Sequence, residues 1–536
     1  MKLRTRTWNT KHLRETYLGL SIVLALLLGV GFATKAQALD LDNLGVIPVH
    51  CTVNTPGCLF DWTTPAGAHQ TNIDLFSFDP STRIMYIADR VNKGASAIDT
   101  TTNTYIGTIP FPTTFPGATG ACTGSCPSGV QVVPDLHKLV MTDRGGRIAI
   151  INLALGAAEA VLVLPGGGSG TDELDYDPLN RRVYVANTVA PYVLTVVDVV
   201  ADTIVTQIPL GANAEQPRFN PVDGVIYQNI TDEENGGLAA KVLKVNPVTN
   251  TFTTLVNLHL YDGTHSCQPH GIDIDPVTNR ALLGCTLPDA QLLIDLGTGA
   301  ILASFPQVTG TDVEYFNNNL RRWYTASSNN TVATDSCQSD GASPVNHVPV
   351  VGVFAAPGSF VEADCSALNG HGLGVDPIQN NIYVGSRRFP AGTANPNGAG
   401  VLVFHDHSPL AQPGTAEESE ANLHSLPPTS NHATGKVHFK DDHIIHADVH
   451  NLPAGTPTLL NVTTTVGNEV VNCVRSFSDA TCDGLLLGKA LIGGEVILAT
   501  GGTPVAKGSI TGEDDSEDNG NGNGHGHGNG NGNSQH

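Results

Sequence analysis

The apolar residues of the chain fall into short runs separated by clusters of Gly, Pro, Asn and Asp. Most runs have about four to seven residues, and they either alternate with polar positions or are apolar throughout. Runs of this length between turn-forming residues predict β-strands joined by tight turns. The 58 Gly and 33 Pro among 536 residues agree with a chain rich in turns. The pattern therefore predicts an all-β protein.

One unit of this pattern returns seven times, at intervals of about 40 to 60 residues. An alternating run ends in Asp-Pro or a variant, and a polar turn, a second run and often a third and fourth run follow. Clear copies are DLFSFDPSTRIMYIAD, DELDYDPLNRRVYVAN and HGIDIDPVTNRALLGC. Four short antiparallel strands per unit, repeated seven times, are typical of a seven-bladed β-propeller. We expect this propeller at residues 39–407.

The seventh copy lacks a recognisable fourth strand. Its strands are expected at 371–376, 382–386 and 400–405, and a Pro-rich segment follows them. A propeller needs its first and last blades joined, because an open sheet edge is prone to pair with other chains. The segment GVIPVHC at 45–51 is therefore predicted to supply the missing outer strand.

Two segments of the third repeat resemble a known repeat family. VYVAN at 183–187 and LTVVDVVADTIVTQIPLG at 194–211 resemble the YVTN-type propeller repeat of exported bacterial and archaeal proteins. PHGIDIDP at 269–276 resembles strand starts in lactonase- and gluconolactonase-like propellers. The resemblance covers roughly residues 45–407 and implies a propeller fold. It leaves function open, because such repeats occur in surface-layer proteins and in lactonases alike.

Residues 1–38 have the pattern of a secretory signal peptide. Basic residues, among them Arg4 and Arg14, precede the apolar stretch YLGLSIVLALLLGVGFA, and Ala36-Gln37-Ala38 forms a small-residue cleavage site. This order predicts cleavage after Ala38, with an uncleaved membrane anchor as the alternative. No later run is long enough to cross a bilayer. We therefore expect an exported protein, periplasmic or extracellular, without a membrane span after cleavage.

The ten cysteines all follow this leader and lie in close pairs along the sequence. An even number of cysteines in an exported chain predicts disulfides, and a reduced metal–thiolate site is the alternative. The predicted pairs are Cys51 with Cys58, Cys122 with Cys126, Cys267 with Cys285, Cys337 with Cys365, and Cys473 with Cys482.

The charge balance narrows the range of partners. Lys and Arg number 27 against 50 Asp and Glu, which gives a formal net charge of -23. A surface this acidic repels phosphate backbones, so no nucleic-acid partner is expected. The partner is predicted to be a protein, a glycan or a small molecule, and the sequence does not choose among them.

Aligning the repeats on their Asp-Pro corners predicts a ring of polar side chains at one mouth of the central channel. Converging carboxylates repel each other unless a cation lies between them. Carboxylates alone suit Ca²⁺, whereas added imidazoles favour Zn²⁺, Mn²⁺ or Fe²⁺. Residues that cap strand ends in a solvated channel are the alternative. The ring positions are Asp74, Asp172, Glu215, His270, Asp312 and His371, the candidate metal ligands, together with Ser128.

A metal in this ring would polarise an ester or lactone carbonyl, or would lower the pKa of a bound water. His270 or His371 would then serve as the general base. This hypothesis describes a metal-dependent, lactonase-like hydrolase or lyase. Motifs for a serine nucleophile, a phosphate-binding loop, haem attachment and H-E-x-x-H are absent, so neither nucleotide nor haem is expected. The other hypothesis is an exported binding or scaffold propeller, with or without a channel metal.

The chain after the propeller is predicted to hold a second, smaller unit. Residues 408–435 are polar and aperiodic, as in a linker, and strands resume at 436–510, enough for a small β-sandwich or barrel. His446, Asp448 and His450 share one face of the strand HIIHADVHNL, with His438 or His443 nearby. These three residues are a metal-site candidate, and a solvated polar face is the alternative.

The segment 511–536 contains acidic residues followed by alternating Gly and Asn. It has too few apolar residues to enter a core, so we expect it to be a disordered tail. Its three histidines, His525, His527 and His536, are candidates for weak metal chelation only.

Overall fold

The structure is a computed structural model. Its strands all belong, among the described residues, to the second of two compact units, Leu41–His536. No helix in this described part of the chain is long and apolar enough to cross a membrane. The predicted leader, His443 and most of the tail lie outside the described residues, so those predictions stay predictions. The described residues are 40–49, 73–90, 92–112, 127–165, 169–286, 290–332, 337, 346–366, 370–386, 400–408, 418–426, 432–440, 444–454, 458–464, 467–476, 478–486, 489–492, 494–501 and 503–512.

Seven four-stranded antiparallel sheets form a ring, which confirms the seven-bladed propeller. The innermost strands contact one another in sequence order, and the last contacts the first. Blade 1 consists of β2 (Ile73–Asp79), β3 (Ile84–Asp89), β4 (Gly94–Asp99) and β5 (Thr104–Pro110). Blade 2 consists of β6 (Pro127–Val133), β7 (Lys138–Asp143), β8 (Arg147–Asn152) and β9 (Ala157–Val163). Blade 3 consists of β10 (Thr171–Asp177), β11 (Arg182–Asn187), β12 (Val193–Asp198) and β13 (Thr203–Pro209).

The remaining blades follow the same order, from the innermost strand outward. Blade 4 consists of β14 (Ala214–Asn220), β15 (Val225–Ile230), β16 (Lys241–Asn246) and β17 (Thr251–Asn257). Blade 5 consists of β18 (Pro269–Asp275), β19 (Arg280–Cys285), β20 (Gln291–Asp295) and β21 (Ile301–Phe305). Blade 6 consists of β22 (Val313–Asn317), β23 (Arg322–Ser327), β24 (Val350–Ala355) and β25 (Ser359–Cys365). Blade 7 contains β26 (Leu373–Asp376), β27 (Asn381–Ser386) and β28 (Gly400–Asp406).

Blade 7 is completed by the first strand of the chain, β1 (Leu41–Pro48). This strand pairs with β28 in antiparallel register from Leu41↔Asp406 to Pro48↔Gly400. The predicted origin of the outer strand is therefore confirmed, with bounds a few residues earlier than expected. Because the sheet contains strands from both ends of the propeller, the ring has no open seam at this blade.

The Asp-Pro corners end the innermost strands with a repeated hydrogen-bonding pattern. In blade 1, Asp79 Oδ1 accepts the backbone N–H of Ser81 at 2.9 Å. In blade 7, Asp376 Oδ1 accepts the N–H of Ile378 at 2.8 Å. In such a turn, the Asp side chain accepts a hydrogen bond that a backbone carbonyl would otherwise accept, and this bond stabilises the chain reversal. The turn then ends in a residue of positive φ, for example Arg83 at 61°.

Glycine follows the ring position in three blades because neighbouring inner strands approach closely there. A Cβ atom on Gly372 would overlap the carbonyl oxygen of Asp74. On Gly129 it would overlap the carbonyl oxygen of Asp172. Gly271 is similarly close to the backbone at Val313. Packing between blades therefore accounts for the His-Gly and Ser-Gly pairs of the repeats.

Three of the five predicted disulfides are present among the described residues, which confirms those three pairings. Cys267–Cys285 links the start of blade 5 to the end of its second strand, and Cys337–Cys365 lies in blade 6. Cys473–Cys482 joins two strands of the C-terminal unit. Disulfides are consistent with an exported protein.

The other two predicted disulfides are not tested by the structure. Cys51 and Cys58 lie in the segment before blade 1, and Cys122 and Cys126 lie in the segment before blade 2. All four cysteines are outside the described residues. The pairing of Cys51 with Cys58 and of Cys122 with Cys126 therefore stays a prediction, based on their spacing in the sequence alone.

The C-terminal unit is a closed eight-stranded barrel in the strand order β29-β30-β31-β34-β33-β32-β35-β36. Its apolar core includes Phe439, Leu460 and Leu498. Of the two predicted alternatives, sandwich or barrel, the structure shows the barrel. The strands are β29 (Glu418–Ser425), β30 (Thr434–Lys440), β31 (Ile444–His450), β32 (Thr458–Thr464), β33 (Gly467–Ser476), β34 (Asp479–Leu485), β35 (Glu495–Thr500) and β36 (Thr503–Gly512).

The first barrel strand corrects the predicted linker, because β29 lies within 408–435. In this strand Ser419, Ala421 and Leu423 are buried, while Asn422 and His424 are exposed. The alternation is that of a strand. Its small and polar residues do not form the apolar run that predicts a strand from sequence. The strand is recognised by its pairing with β30 on one side and β36 on the other.

We predict that Gly372→Ala destabilises the propeller by about 2 kcal/mol or more, because the added methyl group overlaps the backbone of blade 1. Gly107→Ala is the matched control, since a Cβ atom there meets nothing within 4 Å. Urea unfolding of both variants measures the difference. Equal stability of the two variants would show that the close approach of blades 7 and 1 is not a constraint.

Candidate functional site

The ring positions predicted from the repeats all lie at or just before the start of an innermost strand. We call this end of the channel the ring mouth, defined by Asp74, Ser128, Asp172, Glu215, His270, Asp312 and His371. Asp312 directly precedes its strand and His371 lies two residues before its own, whereas the other five are second residues of theirs. The repeat alignment therefore predicts the placement correctly. It does not predict the contacts, which involve three further residues.

His270 lies between two carboxylates at the ring mouth. Its Nδ1 is 3.0 Å from Asp312 Oδ1, and its Nε2 is 2.9 Å from Glu233 Oε1. Burial lowers the pKa of His270, but the hydrogen bonds to the two carboxylates outweigh it and hold that pKa well above its usual value. Burial raises the pKa of Asp312, but the contact with His270 outweighs it, so that pKa lies below its usual value. These contacts therefore favour the protonated form of His270.

His371 and Asp74 meet where blade 7 contacts blade 1. The His371 Nε2 atom lies 3.2 Å from Asp74 Oδ1. The guanidinium of Arg90 forms an ion pair with the other oxygen of Asp74 and donates from Nε to the carbonyl of Pro127 at 3.3 Å. Asp74 is therefore held between a cation of its own blade and a histidine of blade 7.

Arg144 supplies a further cation to the ring mouth. Its Nη2 lies 2.7 Å from Asp172 Oδ2, and about half of its side chain, 49%, is exposed. Asp172 first, then Glu215 and Asp312, raise the pKa of Arg144 through their charges, although burial opposes this rise. The guanidinium therefore lies within the electrostatic reach of three ring carboxyls.

Glu215 differs from the other ring carboxyls in its charge. Burial raises the pKa of Glu215 to about 8, the positive charge of His270 opposes this, and Asp172 and Asp312 add to it. Two more buried carboxyls, Glu173 and Glu314, also have pKa values raised well above the usual value, burial being the largest cause. Burial therefore favours the neutral form of these three carboxyls, which makes the acidic charge of the channel smaller than the sequence indicates.

The ring mouth is thus a network of ion pairs rather than a set of bare carboxylates. Arg90, Arg144 and His270 form ion pairs with the ring carboxylates, whose repulsion a metal cation would relieve in the metal hypothesis. In the described ranges, no three or more His, Cys, Asp or Glu side chains form a group that could hold a metal ion. The metal ligands and the catalytic roles of His270 and His371 stay predictions.

Sequence reasoning missed Arg90, Arg144 and Glu233. The two arginines had a detectable signal, because each follows an Asp at the end of the second strand of its repeat, in IADR and MTDR. Glu233 lies in a turn of 3-10 helix, Glu233–Asn235, inserted after the second strand of blade 4. Because the repeat pattern contains no such insertion, the repeat alignment could not place it.

The second predicted metal site lies on the outer face of the barrel. His446, Asp448 and His450 are exposed there, as the alternation predicts. His446 Nδ1 is 2.6 Å from Asp483 Oδ1, and His450 Nδ1 is 3.4 Å from Asp479 Oδ1. These contacts are those of a solvated polar face with ion pairs. His438 lies directly opposite His446 in the sheet, and metal binding there stays a prediction.

Comparison with models of known protein families finds no match, and comparison with curated proteins finds no significant relative. The evidence for the propeller fold is thus the structure itself. The resemblance to YVTN-type and lactonase-like repeats has no support from a family match.

We predict that Glu215→Gln stabilises the protein at high pH. Glu215 keeps its proton up to about pH 8 when folded, whereas an unfolded Glu loses it near pH 4.3. The stability contributed by this proton is present at low pH and is lost as pH rises through this window. Glutamine has no proton to lose, so the advantage of the variant grows by about 1–3 kcal/mol between pH 5 and pH 9.

Thermal unfolding across this pH range measures the effect. Glu159→Gln is the control, because the bond to Lys138 lowers the pKa of Glu159, so Glu159 is ionised from pH 5 upward and the variant loses the same stabilisation across the range. A constant difference between Glu215→Gln and the unmodified protein across the range would contradict the neutral state of Glu215.

Elemental analysis tests the metal prediction. We expect no stoichiometric Zn, Mn, Fe or Ca in protein whose tail histidines are replaced by alanine, because Arg90, Arg144 and His270 already balance the ring carboxylates. About one equivalent of metal, lost on Asp172→Asn, would contradict this expectation and support the sequence-based hypothesis.

Proposed function

We propose that this protein is an exported binding propeller that recognises a small polar ligand, or the end of a larger one, at the ring mouth. The observation that carries the proposal is the fixed arrangement of His270 between Asp312 and Glu233. Side chains held by one another present charge and hydrogen-bonding groups without reorganising, which reduces the cost of binding.

The charge state of His270 favours binding over catalysis. An imidazolium with two carboxylate partners has no lone pair to accept a proton, so it is unsuited to the role of general base. The ring mouth also holds its arginines in ion pairs with carboxylates. A lactonase-like activity would need His270 to be neutral, or a metal ion to replace these ion pairs.

The exposed groups at the ring mouth support one class of ligand. Arg144 and Glu233 each expose 49% of their side chains, and Asp312 exposes 30%. One cation beside two carboxylates complements a ligand that carries a carboxylate and an ammonium group a short distance apart. A free amino acid or a peptide terminus has this chemistry. A polyanion would meet the ring carboxylates and the acidic surface, and both repel it.

Export is part of the proposal. The leader sequence and the cysteine pairs support it, and the three disulfides among the described residues are consistent with it. The likeness to YVTN-type repeats also points to exported proteins, as a resemblance of sequence only. An exported propeller with a polar mouth suits capture of a ligand outside the cytoplasm.

Calorimetric titration with free amino acids, a diamine, a monocarboxylate and a neutral sugar tests the proposal. We expect the zwitterions to bind, and Arg144→Met and Glu233→Gln each to weaken that binding at least about tenfold. Lys436→Met is the matched control, because this lysine forms an ion pair with Glu420 on the barrel. Absence of zwitterion binding, or binding that both ring variants leave intact, would refute the proposal.

A further inference from the structure

A cavity of about 490 Å³ lies at the opposite end of the channel from the ring mouth. Residues from all seven blades line it, at the Asp-Pro corners where the innermost strands end. From the ring position to the corner each strand runs about five residues, so at about 3.3 Å per residue the two ends are roughly 16 Å apart. We call this space the corner cavity. The proposed function does not use it.

The walls of the corner cavity combine apolar rings with polar side chains. Phe78, Phe219 and Phe316 contribute to its lining, and barrel residues such as Val471 and Leu486 close it from the other side. Corner prolines add six rigid rings that have no N–H to solvate, namely Pro80, Pro134, Pro178, Pro221, Pro276 and Pro377. Pockets for small molecules typically have such apolar walls with a few polar groups, and volumes of about 300–1,000 Å³.

The polar part of the cavity is built around Arg218, which is 6% exposed. Its Nε lies 3.2 Å from Asp273 Oδ1, and its Nη1 lies 3.8 Å from Asp175 Oδ1. The guanidinium also stacks 4.5 Å from the ring centroid of Tyr315. The cation is therefore fixed by partners from three different blades.

The two aspartates beside Arg218 are held in place by the backbone of the next blade. Asp175 Oδ2 accepts the N–H of Phe219, and Asp273 Oδ2 accepts the N–H of Phe316, each at 2.6 Å. Because both carboxylates have a backbone donor as well as the guanidinium, the polar part of the cavity keeps one arrangement.

These contacts decide which ligand charge the cavity accepts. The guanidinium already has two carboxylate neighbours, so an anion would have to displace one of them. Burial raises the pKa of Asp175 to about 6, and the charge of Arg218 opposes this rise. Asp135 and Glu469 also line the cavity, so its carboxyl groups outnumber its one guanidinium. This lining disfavours an anionic ligand, and a neutral ligand needs no counter-ion in the apolar surroundings.

The barrel covers the corner cavity from one side. Arg181 Nη2 in blade 3 donates to Asn472 Oδ1 at 3.0 Å, and Asn318 Nδ2 in blade 6 donates to the Thr464 carbonyl at 3.2 Å. Ile497 of the barrel packs in one apolar cluster with blades 3 and 4.

The lining also includes residues outside the barrel contacts. Ser81 and His137, which line the cavity at blades 1 and 2, are exposed, so the lining extends to the protein surface at these two blades.

We infer that the corner cavity binds one neutral, amphiphilic small molecule. Its apolar body lies against the proline and phenylalanine rings, and its hydroxyl, carbonyl or amide group hydrogen-bonds to the polar groups around Arg218. The barrel forms the second wall of this site, which gives the C-terminal unit a role in ligand binding that the sequence did not indicate.

The full-length protein is titrated with Nile red, a neutral dye of low polarity, and with an anionic pyrene sulfonate of similar size. We expect saturable binding of Nile red in the micromolar range and binding of the sulfonate at least about tenfold weaker. Gln131→Trp fills the cavity from blade 2, and Asn468→Trp fills it from the barrel. Each is expected to weaken Nile red binding at least about tenfold.

Val205→Trp on the outer strand of blade 3 is the matched control, because Val205 is 40% exposed and outside the cavity lining. It is expected to leave Nile red binding within about twofold of the unmodified protein. Thermal unfolding of every variant shows whether it folds. If one of the two cavity-filling variants does not fold, Nile red binding to the other tests the inference. Equal binding of Nile red to both tryptophan-filled variants and the control, or equal affinity for the sulfonate, would overturn the inference.

Discussion

The propeller ring is closed within blade 7, and both mouths of its channel require that closure. β1 pairs with β28 across its length, and blade 7 contains strands from both ends of the propeller. Two further contacts join blade 7 to blade 1, one at each end of the channel. His371 Nε2 lies 3.2 Å from Asp74 Oδ1, and Arg83 Nη2 lies 3.2 Å from Asp376 Oδ2. Without this closure the seven innermost strands would not face one another, and neither mouth of the channel would form.

Closure of the ring makes it necessary to compensate the charges of the carboxyl groups at the ring mouth. The ring brings four carboxyl positions to one mouth, and in a confined, partly buried place their repulsion must be relieved. The chain relieves it in two ways. Arg90, Arg144 and His270 form ion pairs, and Glu215 retains its proton. The same principle operates at the other mouth, where Arg218 lies between Asp175 and Asp273.

The propeller could be predicted from the sequence because the repeat makes each blade an independent observation of one pattern, whereas the first barrel strand, β29, was placed in a linker. The Asp-Pro corner and the turn residue of positive φ follow from local geometry, and the glycine beside His371 follows from the close approach of neighbouring blades, so all three recur. The ring positions were predictable for the same reason. Glu233 was not, because it comes from an insertion, and the corner cavity was not, because it depends on the docking of the barrel.

The chain balances the charge of the ring mouth with its own side chains. Nitrogen-15 NMR of the histidine rings measures this balance, with the signal of His270 identified by its loss in His270→Gln. We expect both ring nitrogens of His270 to carry protons at about pH 7.5, since one N–H bonds to Asp312 and the other to Glu233. A neutral ring at that pH, or a metal-bound nitrogen, would show that the chain does not balance this charge by itself.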